Sequence, residues 1–280
     1  MAYNKEIDEW KAKRLARLTR DDGWLTLCGL SWLKEGKNSV GSDSTNTVIL
    51  PAGKAPNVVG AIYLAKGVLQ FEAQKGVEVY HNDSLVTSLP IVSDEQSDPT
   101  ILRYKTITFY VIKRGEELCV RVKDKENPER LHFKGLEYFP VNPKFRFEAK
   151  LIPYNPAKIL EIPSAIGTVE KNTSPGALAF QFEGKEYRID AVIEKGSEDQ
   201  FFIMMMDETS GKETYAVGRQ LYTSLPDSNG NVILDFNRAY NWPCVFTPYA
   251  TCPIPPKQKD RKSTRLNSSH SRASRMPSSA

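Results

Sequence analysis

Short apolar runs separated by turn signals fill the chain after residue 23, and they constrain its fold more than any other feature. Between residues 24 and 122 the runs lie close together, and dipeptides such as Lys66-Gly67 and Lys75-Gly76 stand between them. Strands that follow one another without helices between them favour antiparallel pairing. The pattern therefore predicts an antiparallel β-sandwich over residues 23–138.

The remainder of the chain predicts a second β half over residues 139–258. Phe145–Leu151 alternates apolar and polar residues, which is typical of a strand with one solvated face. Further runs follow, with glycine-containing turns among them: Ile159–Ile162, Ala177–Phe182, Tyr187–Ile193, Phe201–Met206, Thr214–Tyr222 and Val232–Phe236. We expect a mostly β protein whose second half is another β-sheet or a small barrel.

The chain begins with a predicted helical element, residues 1–22. Within it, residues 4–20 carry apolar side chains at helical spacing, among them Ile7, Trp10 and Leu18. A basic amphipathic helix of this kind can lie on a membrane surface. Packing of its apolar face against the rest of the protein is the simpler interpretation.

Residues 259–280 differ in composition from everything before them. Of the charged residues from 260 to 280, five are basic and one is acidic, so residues 1–259 carry 33 Lys+Arg and 33 Asp+Glu. The segment has too few apolar residues to fold, which predicts disorder. It is also similar to a sequencing adapter translated in frame, and in that interpretation the native C-terminus is missing. A genuine disordered basic tail is the alternative.

Composition excludes several function classes. The neutral charge of residues 1–259 argues against a nucleic-acid partner. Four cysteines without a CxxC pair and only three histidines give little material for a zinc site. No apolar run approaches the roughly 18–20 residues that span a bilayer, and no signal peptide is visible. We expect a soluble cytoplasmic protein with reduced thiols and no cofactor.

Three motifs carry a resemblance to a known family. They are Gly23-Trp24-Leu25-Thr26-Leu27, Asp207-Glu208-Thr209-Ser210-Gly211 and Asp235-Phe236-Asn237-Arg238-Ala239-Tyr240-Asn241. Together they resemble a microbial family known as domain of unknown function 1684, from about residue 4 to residue 258. Trp242 departs from the family, which has a proline there, and the family's last strand-like segment is replaced by the tail. The resemblance implies no established activity.

A second resemblance concerns residues 36–114. The spacing of strands and turns in this region is similar to that of a forkhead-associated sandwich. It is marked by Gly41-Ser42, Val48-Ile49-Leu50-Pro51 and Asn82-Asp83. Those domains bind phosphothreonine through an Arg after the first Gly, where this chain has Ser42. Because the positive charge that would hold a phosphate is absent, the resemblance implies the fold and not the binding function.

The densest group of candidate site residues lies in the second half. Its members are Asp207, Thr209, Tyr215, Arg219, Asp235, Asn237, Tyr240 and Cys244. If the strands that carry Arg219 and Asp235 pair, the two side chains meet. An Arg guanidinium in a β pocket suits a carboxylate or phosphate ligand. The structural alternative is a buried Arg–Asp pair that only holds the second sheet together.

Cys244 is a separate candidate, because a loop cysteine beside polar groups can act as a nucleophile. Such a cysteine usually needs a base, and His81 and His132 both lie in the first half. A buried thiol is therefore the simpler interpretation. A disulfide between Cys244 and Cys252 is a further alternative, against which an intracellular location argues.

Two function hypotheses remain open. The first is a small-molecule binding protein or enzyme that takes an anionic ligand in a pocket of the second half. It predicts a concave site lined by Arg219, Tyr215 and Asn237. The second is a noncatalytic protein-interaction module of the β-sandwich type. It predicts that these side chains are sealed in the core and that an apolar patch is exposed elsewhere.

Overall fold

The computed structural model describes residues 2–255, which form two compact units. The sandwich unit comprises Arg17–Phe133 and Phe246–Ala250. The seven-stranded unit comprises the described parts of Met1–Ala16, Lys134–Val245 and Thr251–Ala280. The adapter-like segment 259–280 lies outside the described residues, as do residues 256–258 of the predicted second half.

The first element is the predicted N-terminal helix, α1 (Ala2–Thr19). A single helical turn, α2 (Pro128–Leu131), lies in the charged connector after the sandwich. Three-residue 3-10 helices lie at Trp24–Thr26, Pro143–Phe145, Phe236–Arg238 and Pro243–Val245. Neither α1 nor α2 is both long and apolar enough to cross a bilayer.

The sandwich unit contains two sheets. Its strands are β1 (Leu27–Trp32), β2 (Gly36–Gly41), β3 (Val48–Ile49), β4 (Gly60–Ala65), β5 (Val68–Ala73), β6 (Val79–His81), β7 (Ser84–Val86), β8 (Ser88–Pro90), β9 (Leu102–Tyr104), β10 (Ile107–Arg114) and β11 (Glu117–Asp124). One sheet has the order β1-β11-β10-β9-β6-β7 and the other β3-β2-β4-β5-β8. All pairings are antiparallel except the short β2–β3 pair.

The core of the sandwich unit follows from alternation along its strands. Ile107, Phe109 and Val111 of β10 point inward, and Phe109 meets Phe71 of the opposite sheet at 5.9 Å between ring centroids. Burying one face of each sheet in this way is what a two-layer β-sandwich requires. The predicted sandwich is thereby confirmed.

The seven-stranded unit is built on one curled sheet. Its strands are β12 (Arg146–Pro163), β13 (Val169–Phe182), β14 (Lys185–Ile193), β15 (Gln200–Met205), β16 (Arg219–Ser224), β17 (Asn231–Asp235) and β18 (Tyr240–Asn241), in the order β17-β12-β13-β14-β15-β16-β18. Thr223 of β16 donates a hydrogen bond to the carbonyl of Ile233 on β17 at 2.7 Å. The two ends of the sheet therefore approach each other around a shared core, as expected for a small barrel.

Two strand predictions are wrong near the candidate site. The strand expected at Thr214–Tyr222 begins only at Arg219, because Gly218 has a φ of +88°, which is outside the β region. The strand expected to continue to Phe236 ends at Asp235. The Asp235 side chain accepts a hydrogen bond from the Asn237 amide and begins a 3-10 turn there.

Candidate functional site

Arg219 begins β16 and is the cationic residue of the predicted group. Its side chain is 0% exposed, and one guanidinium nitrogen lies 2.8 Å from a carboxylate oxygen of Asp207. The Asp207 side chain is itself 2% exposed. Burial lowers the pKa of Arg219, and the Asp207 carboxylate opposes that shift. The predicted partner, Asp235, was therefore wrong: Arg219 pairs with Asp207.

The loop before β16 holds Asp207 in place. The amide and the hydroxyl of Thr209 donate to the Asp207 carboxylate at 3.1 and 2.5 Å. Thr209 is fully buried, and its hydroxyl also lies 3.1 Å from the hydroxyl of Thr214. An acidic residue that bonds the backbone two residues onward is a common way to fix a turn. We call Asp207, Thr209, Thr214 and Arg219 the buried Arg219 cluster.

Asp235 and Asn237 belong to a second buried polar cluster. The Tyr3 hydroxyl donates to the Asp235 carboxylate at 2.9 Å, and the side-chain amide of Asn237 donates to the Tyr3 oxygen at 2.8 Å. Asn237 is fully buried and also accepts from the amide of Asn142 at 2.9 Å. Burial, followed by the Asp235 carboxylate, raises the pKa of Tyr3 well above its usual value. This cluster ties α1 to the end of β17.

Tyr240 takes part in neither cluster. Its ring lies 6.1 Å from that of Trp10 on α1, and the guanidinium of Arg14 lies 4.7 Å from its centroid. Arg14 also donates to the hydroxyl of Tyr138 at 3.0 Å. Tyr240 therefore forms part of the surface on which α1 packs.

Tyr215 and Cys244 meet beside Cys252. The Tyr215 hydroxyl lies 3.5 Å from the Cys244 sulfur, and the Cys244 amide donates to the Cys252 sulfur at 3.2 Å. All four cysteines of the chain are thiols rather than disulfides. Hydrogen bonds from Cys252 and then from Tyr215 lower the pKa of Cys244 to about 7, although burial acts in the opposite direction. We call Tyr215, Cys244 and Cys252 the thiol site.

The predicted residues therefore separate into distinct groups rather than one pocket. Arg219 and Asn237 are both fully buried, in agreement with the structural alternative for these two side chains. Sequence reasoning missed Tyr3 and Asn142, which are distant in sequence from Asn237. It also did not connect Cys252 with Tyr215, since no local pattern links them.

The sandwich unit contains a cleft that the sequence did not indicate. It has a volume of about 220 Å³ and is lined by Arg17, Arg20, Asp22, Gly23, Trp24, Arg121 and Lys123. We call it the basic cleft. Glycine is required at position 23 of its lining, because a Cβ there would lie 2.4 Å from the carbonyl oxygen of Leu18. The tight turn after α1 thus brings the end of the helix against β11.

The lining of the basic cleft contains four cationic side chains and one carboxylate. Arg20 forms two hydrogen bonds with the Asp22 carboxylate, at 2.9 and 2.8 Å. Lys123 donates to the Asp22 carbonyl at 2.6 Å. Arg121 is 6% exposed, and its guanidinium lies 5.2 Å from the Trp24 ring. Of these cations, Arg20 bonds the Asp22 carboxylate, whereas Lys123 bonds the backbone carbonyl of Asp22.

Metal ligands are sparse in the described part of the chain. Residues 2–255 contain no group of three or more His, Cys, Asp or Glu side chains arranged to hold a metal ion. The Nδ1 atoms of His81 and His132 lie 3.0 and 3.1 Å from the backbone carbonyl oxygens of Ile101 and Pro128, which can only accept. Both histidines belong to the sandwich unit, whereas Cys244 belongs to the seven-stranded unit.

Comparison with solved structures finds similar chains over part of the sequence. The solution NMR structure of an uncharacterized protein of Haloarcula marismortui is 28% identical, covers 46% of this chain and 73% of that chain, and has a TM-score of 0.37. The FhaA FHA domain, solved in complex with the intracellular domain of another protein, is 15% identical, covers 34% of this chain and 97% of that chain, and has a TM-score of 0.23. A structure from a study of phosphothreonine-dependent FHA domain interactions gives the same identity and TM-score and covers 92% of that chain.

Comparison with curated proteins finds no match. Comparison with family models does find one, and it lies in the part of the chain that carries the Asp235–Asn241 motif. Residues 131–262 match the family described as Protein of unknown function (DUF1684), which confirms over this part of the chain the resemblance seen in the sequence.

Proposed function

We propose that the protein binds a small anionic molecule and that the basic cleft holds it. The observation that carries the proposal is the charge of the lining, four cations against one carboxylate. Arg side chains bind carboxylate and phosphate groups through paired hydrogen bonds. The volume of about 220 Å³ is smaller than the roughly 300–1,000 Å³ of sites for drug-sized ligands. A compact anion is therefore the expected ligand class.

The environment of Arg121 supports this assignment. Its guanidinium is almost fully buried against the Trp24 ring, so it loses much of its hydration. A cation held in this way interacts more strongly with an incoming anion than one surrounded by water. Arg17 is exposed and Lys123 is half-buried, so both lining side chains are accessible to a ligand.

A ligand at the predicted site around Arg219 would require part of the protein to move. Arg219 is fully buried against Asp207, so a ligand reaches it only by displacing the loop that carries Asp207 and Thr209. Breaking such a pair leaves an uncompensated buried charge. The basic cleft needs no such rearrangement, which is why it is the preferred anion site.

A thermal-shift titration of the full chain tests the proposal, with inorganic phosphate and citrate as probes at constant ionic strength. Both anions are expected to raise the melting temperature of the wild type, since a ligand stabilises the state that binds it. Arg17→Gln and Lys123→Gln are expected to weaken the shift. Lys37→Gln, which removes an exposed cation on β2, is the matched control. The basic residues of 259–280 are present in every variant, so they cannot explain a difference.

The outcomes are distinct. If neither anion shifts the wild type, or if Lys37→Gln reduces the shift as much as Lys123→Gln, the basic cleft is not the site. If the shift survives Arg17→Gln and Lys123→Gln but is lost in a folded Arg219→Met variant, the ligand binds in the seven-stranded unit instead.

A protein-interaction module is the second candidate function. It is supported by the burial of Arg219 and Asn237 and by apolar side chains exposed on the β12–β13 hairpin. Ile159 is 60% exposed and Val169 is 51% exposed, and their cross-strand partners place both on one face. Affinity capture with the wild type and Ile159→Lys tests this function. If the wild type and Ile159→Lys retain the same partner equally well, the β12–β13 hairpin is not the binding surface.

We also propose that the protein works in the cytoplasm. Four cysteines present as thiols support a reducing compartment. Cell fractionation tests this location, and recovery of the protein outside the cytoplasm would contradict it.

A further inference from the structure

Two cysteines of the seven-stranded unit are brought together by independent backbone contacts. Cys244 lies in the 3-10 turn Pro243–Val245, and its amide donates to the Cys252 sulfur at 3.2 Å. Cys252 is fixed from the other side, because its carbonyl accepts from the Ala165 amide at 2.8 Å. The Cys252 sulfur therefore lies against the residue that carries the Cys244 sulfur.

The two thiols differ in access. Cys244 is half-buried, whereas Cys252 is 4% exposed. Reagents from solution therefore meet Cys244 first. A reactive thiol with a second thiol behind it is the arrangement of an attacking and a resolving cysteine.

The surroundings favour the thiolate of Cys244. Tyr215 and Cys252 are the titratable groups that lie against it, and hydrogen bonds from both lower its pKa to about 7. The other two cysteines show the opposite behaviour, since burial raises the pKa of Cys28 to about 12 and that of Cys119 to about 11. Thiolate character is what makes a cysteine nucleophilic.

We propose that Cys244 and Cys252 form a reversible dithiol–disulfide pair that exchanges with small-molecule disulfides, with Cys244 attacking and Cys252 resolving. The oxidant is a low-molecular-weight disulfide such as oxidised glutathione. The Cys244 thiolate attacks one sulfur of that disulfide, breaks its S–S bond and releases one glutathione thiolate. The Cys252 thiol then loses its proton to solvent, attacks the Cys244 sulfur and releases the second glutathione. Two protein thiols are oxidised and one glutathione disulfide is reduced to two thiols.

The pair restrains a specific part of the chain. The new bond would close a ring through residues 245–251. Thr247 donates to the carbonyl of Leu27 at 3.0 Å, and Phe246 meets Phe133 at 5.9 Å between ring centroids. A disulfide that closes this ring restricts the conformations of the unfolded chain, so the oxidised protein is expected to melt at a higher temperature.

Equilibration of the full chain with oxidised glutathione, followed by acid quenching, intact mass and peptide mapping, tests the proposal. The wild type is expected to lose two hydrogen atoms and to show one disulfide, between the peptides of Cys244 and Cys252. Cys252→Ser is expected to retain one glutathione on Cys244, because the resolving thiol is gone. Cys244→Ser is expected to remain unmodified at position 252. Cys119→Ser is the matched control and should behave as the wild type.

Two results would overturn the proposal. One is a wild type that keeps glutathione on Cys244 without forming the internal bond. The other is a pair that stays reduced at every ratio of oxidised to reduced glutathione. The wild-type peptide map decides these points even if a serine variant fails to fold.

Discussion

Arg219 and Asp207 form a buried ion pair, with 2.8 Å between guanidinium nitrogen and carboxylate oxygen and side-chain exposures of 0% and 2%. Desolvation of two charges offsets most of the attraction within such a pair. The pair therefore adds little net stability compared with apolar residues of similar size. Removal of one partner is far more damaging, because the other charge stays buried without its counter-ion.

This relationship predicts a strongly non-additive pair of mutations. Asp207→Leu alone should lower the free energy of unfolding by about 3–5 kcal/mol. The double variant Asp207→Leu/Arg219→Met should lose less than Asp207→Leu does, since no charge remains in the core. Urea denaturation measures both values. If the free energy of unfolding of Asp207→Leu lies within about 1 kcal/mol of the wild-type value, the pair is solvated or dispensable.

Gly218 precedes Arg219 and sets the start of β16. It has a φ of +88°, and a Cβ there would lie 2.3 Å from the Met205 carbonyl oxygen. Gly211 has a similar φ of +83°, but its nearest neighbour would be 3.8 Å away. We expect Gly211→Ala to cost about 1–2 kcal/mol through backbone strain, and Gly218→Ala to cost clearly more. If thermal unfolding shows equal losses for Gly211→Ala and Gly218→Ala, the contact with the Met205 carbonyl oxygen relaxes without an energetic cost.

Tyr3 anchors α1 through a single hydroxyl. Tyr3→Phe removes the donor to Asp235 at 2.9 Å and leaves a buried carboxylate one hydrogen bond short. The expected loss in free energy of unfolding is about 1–3 kcal/mol. Tyr80→Phe is the matched control, because its hydroxyl contacts the exposed Glu78 at 3.2 Å and should change stability by less than about 0.5 kcal/mol. If the two variants lose similar free energies of unfolding, the Tyr3 hydroxyl does not anchor α1.

Local sequence patterns predicted most of the strands because alternation and turn residues act over a few positions. β14 (Lys185–Ile193) contains the predicted run Tyr187–Ile193 and ends at the same residue. β12 was predicted as two strands, Phe145–Leu151 and Ile159–Ile162. The structure joins them into one strand with an irregular register between Pro153 and Lys158, where prolines are tolerated.

The site was less predictable because its contacts are not periodic. The sequence suggested a buried Arg219 as the structural alternative to a ligand site, but its partner depends on a loop held by Thr209 and on the φ of Gly218. The contact of Tyr3 with Asp235 joins residues 232 positions apart. No local pattern encodes such a pair. The basic cleft was missed for a similar reason, since it combines the end of α1 with two outward-facing residues of β11.

Alkaline pH should destabilise the protein through two buried thiols. Burial, aided by the Asp124 carboxylate, raises the pKa of Cys28 from 9.0 to about 12, and burial raises that of Cys119 to about 11. Above pH 9 the unfolded chain loses protons that the folded chain keeps, so the free energy of unfolding falls as the pH rises. Each thiol contributes a slope of about 1.4 kcal/mol per pH unit.

Chemical denaturation across this pH range measures the slope. Cys28→Ala and Cys119→Ala should each reduce it, whatever their effect on stability at neutral pH. Cys244→Ala should not reduce it, because the pKa of Cys244 lies below 9.0 in the folded state. A slope that is unchanged in both Cys28→Ala and Cys119→Ala would show that these thiols ionise normally in the folded protein.

Tyr215 should control the pH at which Cys244 becomes reactive. Its hydroxyl lies 3.5 Å from the Cys244 sulfur and lowers the pKa of that thiol, after the larger effect of Cys252. The rate of alkylation of Cys244 by iodoacetamide should therefore rise with a midpoint near pH 7. Tyr215→Phe should move that midpoint upward, and Cys252→Ala should move it further. Tyr222→Phe is the matched control, because its hydroxyl binds Glu194 at 2.6 Å. If Tyr215→Phe leaves the midpoint in place, the hydroxyl accepts from the thiol and does not stabilise the thiolate.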